Sequence, residues 1–259
     1  MTLSWALTDA LTITRRSIWH WMRQPYAIIF GLLFPIMLTV LFGYLFGGAM
    51  QVPGDSGNYM EFMLPGMFVM VMAFGIGETM VAVATDREKG VTDRFRSMPM
   101  ASSAVVLGRA IADMLYSAVL LAVMLGFGLL VGWSAHNGLG NALLAVGLLL
   151  LLRFAMVWIG VYLGLVIQGP EASATVQTML FPLTMITNTF ADPDTMPAWL
   201  GTIAEWNPLS ATVTAIRELF GNPGVGGMDH PILLAIAWPV LLTAIFFPLA
   251  VARYRRLSA

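Results

Sequence analysis

Six long apolar stretches constrain the fold of this chain more than any other feature of its sequence. Each is close to the roughly 20 apolar residues that a helix needs to cross the hydrocarbon layer of a bilayer. The fifth is the shortest and is rich in threonine. The six stretches, called spans 1 to 6, are residues 26–46, 59–84, 103–131, 141–167, 172–190 and 232–252. We therefore predict an all-α, polytopic membrane protein with six transmembrane helices.

The composition excludes several other classes of protein. Of the 259 residues, 58% are hydrophobic and 10% are charged, whereas a soluble domain is typically about a quarter charged. So few charges cannot cover the surface of a water-soluble enzyme, and the high hydrophobicity excludes a disordered chain. A net charge of −1 argues against nucleic acid as a partner, because phosphate contacts require an excess of basic residues.

Residues that carry chemistry are scarce. The chain has no cysteine, and its single lysine, Lys89, is followed by Gly90. It therefore lacks the Gly-Lys-Ser or Gly-Lys-Thr of a phosphate-binding loop. His20, His136 and His230 are isolated from one another in the sequence. We predict that this chain is not an enzyme and that it binds no metal or cofactor itself.

Basic residues predict the topology. Eleven of the thirteen Lys and Arg residues lie before span 1, between or beside spans 2 and 3, or after span 6. The loops that follow spans 1 and 3 contain none. Because short cytoplasmic loops carry an excess of Lys and Arg, we predict that both termini are cytoplasmic. The count of six spans independently places the two termini on the same side.

Residues 4–23 have the periodicity of a helix that lies along the membrane surface. Leu7, Leu11 and Ile18 gather on one helical face, while Arg16 and Arg23 gather on the opposite face. This pattern predicts an amphipathic interfacial helix, and a solvated tail is the alternative.

Residues 191–229, between spans 5 and 6, are too polar to cross a membrane and too long for a structureless loop. They predict two short helices, 197–206 and 209–220, that cap the bundle on its outer side. Asn207 and Pro208 separate the two helices. Arg217 and Glu218 are expected to face water or the loop itself.

The loop between spans 2 and 3, residues 85–102, begins with a cluster of four charges at Asp86, Arg87, Glu88 and Lys89. A passive turn would need only about two to eight residues. The loop predicts a short helix of mixed charge at the cytoplasmic face. It either serves as a docking surface or only fixes the topology through its positive charges.

Three ionisable residues, Glu78, Asp113 and Arg153, fall inside the predicted spans, where charges are costly and are functional candidates by default. Arg109 and Asp113 share a helical face and are expected to pair. Glu78 and Arg153 differ in depth by about 13 Å at ~1.5 Å per residue, so we expect no direct pair. The three residues either line a path for an amphiphilic substrate or make structural contacts. Arg153 could also reach a lipid phosphate.

The loop between spans 2 and 3 contains Glu88-Lys89-Gly90, followed by Phe95, Pro99 and Gly108-Arg109. In this order these residues resemble the loop of type-2 ABC exporter permeases. Further motifs follow along the chain: Pro170-Glu171-Ala172, Phe181-Pro182-Leu183, Asn188, Phe190, Asn207-Pro208, Arg217 and Gly221. These motifs resemble the daunorubicin-resistance branch of that family. The loop departs from the family pattern at Asp86, where glutamate is frequent, and at Lys89, where arginine is common.

The resemblance implies that residues 1–259 form one permease domain in a bacterial plasma membrane. Such a permease exports a drug or lipid, or alternatively a lipid-linked glycan. It works with a second, identical or related permease chain, with membrane lipids around it. Two copies of a separate ATPase subunit bind the ATP and Mg. By position, the residues that would couple the permease to the ATPase are Asp86, Arg87, Glu88, Lys89, Gly90, Val91, Arg94 and Phe95.

Two rival functions come from the charges rather than from the resemblance. One is an ion-coupled secondary transporter that uses Glu78 and Asp113 as proton sites. The other is a membrane scaffold that recruits partners through residues 86–96 without transporting anything.

Overall fold

The computed structural model describes residues 26–47, 59–89, 102–167, 169–224 and 226–257. The predicted interfacial helix at 4–23 and residues 90–101 of the predicted coupling loop lie outside these ranges. Helices dominate the described residues, and we number the α-helices in chain order. They are α1 (Tyr26–Val40), α2 (Tyr59–Glu88), α3 (Ser102–Leu130), α4 (Gly138–Val166), α5 (Pro170–Met185), α6 (Ala198–Trp206), α7 (Pro208–Phe220) and α8 (Pro231–Leu257).

Each predicted span coincides with a helix, and the first one continues from α1 into a π-helix at Leu41–Phe46. Within the described residues, four helical segments are long and apolar enough to cross a membrane. They are Tyr59–Glu88, Gly108–Leu130, Gly138–Val166 and Pro231–Tyr254. The apolar part of the first span, Gly31–Leu45, is shorter, and α5 has only 16 residues. The chain is therefore a multi-pass membrane protein, while the count of six spans stays a prediction.

Two short helices, α6 and α7, occupy most of the connection between α5 and α8. The side chain of Asn207 accepts a hydrogen bond of 2.9 Å from the backbone N–H of Leu209 and so caps the start of α7. Pro208 occupies the first turn, where its missing N–H costs nothing. Gly221 ends the helix in the left-handed conformation, with φ of 73°, which a residue without Cβ adopts easily.

Helix α2 is the centre of the fold. It packs against α1, α3, α4, α5 and α7, and most of its residues are buried. Its closest neighbour is α4, which approaches it through glycine. A Cβ built on Gly164 would lie 2.6 Å from the carbonyl oxygen of Met80, and one on Gly160 would lie 2.8 Å from that of Ile76. The small residues on this face of α4 therefore serve a contact within the chain.

Replacing Gly164 with leucine should separate α4 from α2 and destabilise the bundle, because the new side chain meets backbone atoms that cannot move independently. Overpacking of this kind typically costs about 1–3 kcal/mol. The measurement is the melting temperature of the detergent-solubilised protein, determined from the loss of monodisperse material as the sample is heated. Gly147→Leu is the matched control on the same helix, since a Cβ at Gly147 meets nothing within 4 Å. Equal melting temperatures for the two variants would contradict the close packing at Gly164.

Candidate functional site

The guanidinium of Arg153 lies in the interior of the bundle, with only 1% of the residue exposed. Its Nε donates to the hydroxyl of Ser117 on α3 at 2.6 Å, and its Nη2 donates to the hydroxyl of Thr79 on α2 at 3.0 Å. The guanidinium fills the space that a side chain at Gly75 would need. Arg153 therefore bonds to protein groups, and the prediction that it could reach a lipid phosphate is wrong.

Asp113 completes this buried cluster from α3. Its carboxylate accepts a hydrogen bond of 2.9 Å from Thr79, and its backbone carbonyl accepts one of 2.8 Å from Ser117. Each hydroxyl thus accepts from Arg153 and donates to Asp113. The hydroxyl of Thr79 joins the guanidinium of Arg153 to the carboxylate of Asp113, while that of Ser117 joins it to the Asp113 backbone, which lowers the cost of burying the two charges.

Glu78 lies beside the cluster and forms no ion pair with Arg153 among the described residues. The predicted depth difference is not the reason, because Arg153 bonds to Thr79, the residue next to Glu78. The side chain of Glu78 is directed toward Gly31 on α1 and Tyr116 on α3. A Cβ built on Gly31 would lie 3.3 Å from Glu78 Oε1 and 3.5 Å from the hydroxyl of Tyr116. Glu78 is half-buried, and among the described residues nothing donates a hydrogen bond to it. Arg153 Nη1 is likewise buried without a hydrogen-bond partner in the described part of the chain.

A chain of ion pairs connects the cluster to the end of α2. Arg109 Nε lies 3.3 Å from Asp113 Oδ1, which confirms the predicted pair, and Arg109 Nη1 lies 2.6 Å from Asp86 Oδ2. Ion pairs and hydrogen bonds therefore run without a break from Asp86 through Arg109, Asp113 and Thr79 to Arg153. This continuous polar connection extends from the base of the predicted coupling loop into the middle of the bundle.

The described part of the predicted coupling segment divides into an anchored pair and an exposed pair. Asp86 is bound to Arg109, and Arg87 donates a 3.2 Å hydrogen bond to the carbonyl of Leu165, in the last turn of α4. A basic side chain stabilises the unpaired carbonyls at a helix C-terminus. Glu88 and Lys89 are exposed. The other four coupling candidates, Gly90, Val91, Arg94 and Phe95, lie outside the described residues.

Arg217 is a buried residue that the sequence interpretation misplaced. Instead of facing water it is 0% exposed, whereas its neighbour Glu218 is exposed as expected. Its guanidinium donates to the carbonyls of Phe62, Asn188 and Thr189 at 2.9, 3.0 and 3.1 Å. Burial lowers the pKa of Arg217 to about 9, which leaves it charged at neutral pH.

The contacts of Arg217 hold α7 against the start of α2 and the segment that follows α5. Its carbon Cζ also lies 3.8 Å from the centre of the Phe62 ring, close enough for a cation–π contact. A signal for this burial exists in the sequence. Val213, Ile216 and Phe220 recur at helical spacing, and Arg217 lies on the same face as these residues.

The fold and these contacts define a multi-pass helical membrane protein with buried charges. Among the described residues, no group of three His, Cys, Asp or Glu side chains could hold a metal ion. Residues 8–220 match the family model of the ABC-2 type transporter. The chain belongs to this family.

Individual relatives agree with the family match. The chain is 34% identical, over 98% of its length and 88% of the relative's, to the daunorubicin resistance ABC transporter permease protein DrrB1 of Streptomyces coeruleorubidus. It is 25% identical, over 97% of its length and 90% of the relative's, to the probable doxorubicin resistance ABC transporter permease protein DrrC of Mycobacterium tuberculosis. The chain is also 25% identical, over 83% of its length and 75% of the relative's, to the putative transport permease ycf38 of Cyanophora paradoxa.

Proposed function

We propose that this chain is the permease subunit of an ATP-driven exporter that moves a hydrophobic or amphiphilic drug out across a bacterial plasma membrane. The observation that carries the proposal is the match to daunorubicin and doxorubicin resistance permeases over nearly the whole chain. Two copies of a separate ATPase subunit bind ATP and Mg. A second permease chain, identical or related, completes the assembly within the lipid bilayer.

The segment from Asp86 to Phe95 docks on the ATPase subunit in this proposal. Glu88 and Lys89 support it, because they are exposed at the end of α2 while their neighbours anchor that end to α3 and α4. Exposed charges set the register of an interface and steer the association of the partners. The docked segment belongs to a six-span topology with both termini in the cytoplasm.

The three intramembrane charges have different roles in the proposed exporter. Arg153 and Asp113 bond to protein groups on neighbouring helices, which suits a positioning role. Glu78 is half-buried and accepts no hydrogen bond from the described residues. Its carboxylate is therefore the best candidate of the three to face the substrate path.

Co-purification followed by transport tests the proposal. The affinity-tagged permease is expressed with a candidate ABC ATPase subunit from the same genome, and the complex is reconstituted into vesicles with daunorubicin supplied on the ATPase side as the probe. We expect the ATPase to co-purify and daunorubicin to move only when ATP is added on the ATPase side. Transport that needs no ATPase and collapses with a protonophore would overturn the proposal in favour of an ion-coupled transporter.

A further inference from the structure

An open groove lies between the end of α7 and the start of α8. Its volume is about 750 Å³, within the range of about 300–1,000 Å³ that drug-sized ligands occupy. Glu218 on α7 and His230, just before α8, are its polar residues, and α8 supplies most of its apolar wall. The groove is separate from the buried cluster around Arg153, to which none of its lining residues belongs.

The apolar wall of the groove is exposed rather than packed against another helix. Leu233, Ile236 and Val240 line it and are 62%, 44% and 52% exposed. Their spacing places them on one face of α8. An apolar wall of this size favours the hydrocarbon part of an amphiphile.

A carboxylate stands at the rim of this wall. Glu218 is exposed, and its side chain makes no hydrogen bond or ion pair with any other described residue. His230, which also lines the groove, has a left-handed backbone conformation with φ of 54°. The groove therefore combines a carboxylate without a partner among the described residues, an imidazole and an apolar wall.

The surrounding surface favours a cation over an anion. Between residues 186 and 230 the sequence has five carboxylates and one arginine. That arginine is Arg217, whose guanidinium is buried against three backbone carbonyls. The segment therefore presents negative charge without accessible Lys or Arg, and charge complementarity selects a positively charged ligand.

We infer that this groove binds a lipophilic monovalent cation, with the charge beside Glu218 and the apolar body against Leu233, Ile236 and Val240. The biological meaning of this inference rests on the proposed export function. The groove lies at the end of the bundle where α6 and α7 are found, and an exported amphiphile would reach it as it leaves. Binding itself requires neither ATP nor the ATPase.

Equilibrium dialysis of the purified full-length permease tests the inference with two probes of matched shape and opposite charge. These are radiolabelled tetraphenylphosphonium and tetraphenylborate, each corrected for binding to empty detergent micelles. We expect the cation to bind more tightly than the anion. Glu218→Gln should weaken cation binding by roughly 1.5-fold to fivefold, the usual range for a charge pair at an exposed rim. Ile236→Trp, which fills the groove, should weaken it more than tenfold.

Glu205→Gln is the control, because Glu205 is an exposed carboxylate on α6 outside the groove. It should bind the cation like the unmodified protein. Equal affinity for the two probes, or unchanged cation binding in Glu218→Gln, would overturn the inference and leave an apolar groove for lipid chains. Unchanged binding in Ile236→Trp would place the cation elsewhere. If these binding results are as expected while vesicles show no ATP-driven transport, the export function fails and the binding site stands.

Discussion

Reversing the charge of Glu88 to lysine should abolish the stimulation of ATP hydrolysis by substrate while leaving the permease folded in the membrane. Glu88 is exposed at the end of α2, and its side chain makes no hydrogen bond or ion pair with the described residues that the substitution would break. At a docked interface, however, a like charge facing the partner costs several kcal/mol. The measurement is the ATPase rate of the reconstituted complex with and without daunorubicin, together with the amount of permease in the membrane.

Two further charge reversals separate coupling from folding. Asp86→Lys destroys the ion pair with Arg109 and should therefore lower the amount of folded permease as well as the stimulation. Glu205→Lys changes an exposed charge on α6, far along the chain from the loop, and should change neither quantity. If Glu88→Lys keeps full stimulation at normal abundance, residues 86–95 are not the coupling segment.

Helix positions were predictable from the sequence because one local property decides them. The six apolar stretches overlap α1 to α5 and α8, and Asn207 and Pro208 mark the boundary between α6 and α7. The ion pair between Arg109 and Asp113 was predictable for the same reason, since the two residues lie one turn apart on a single helix.

Contacts between helices were harder to predict, because they depend on helix rotation and on the reach of side chains. Comparing depths along the helix axis overestimated the separation of Glu78 and Arg153, since Arg153 reaches Thr79, the residue next to Glu78. It also could not reveal that the hydroxyls of Thr79 and Ser117 connect Arg153 to Asp113. Arg217 was misplaced because a charged residue in a polar segment usually faces water, whereas here three carbonyls and the Phe62 ring surround it.

Replacing Arg153 with leucine should sharply reduce the amount of folded permease. The substitution removes the positive charge between Asp113 and Glu78 and leaves two hydroxyls without their guanidinium donor. Removing one partner of a buried charge pair typically costs about 3–5 kcal/mol. The measurement is the yield of monodisperse protein after solubilisation, compared with that of the unmodified chain expressed in parallel.

A second substitution distinguishes a positioning role from contact with cargo. In the double variant Arg153→Leu/Asp113→Asn the buried cluster regains its original net charge, since one positive and one negative group are removed together, and Arg109 keeps its bond to Asp86. We expect the double variant to recover folded protein and, with it, ATP-dependent daunorubicin transport, because Arg153 acts by holding α2, α3 and α4 in register. Recovery of folded protein without transport would instead place Arg153 or Asp113 in the substrate path.

Glu78→Gln should behave in the opposite way, with normal abundance and altered transport, because its carboxylate holds no hydrogen bond among the described residues. Unaltered transport in Glu78→Gln would exclude that carboxylate from the path.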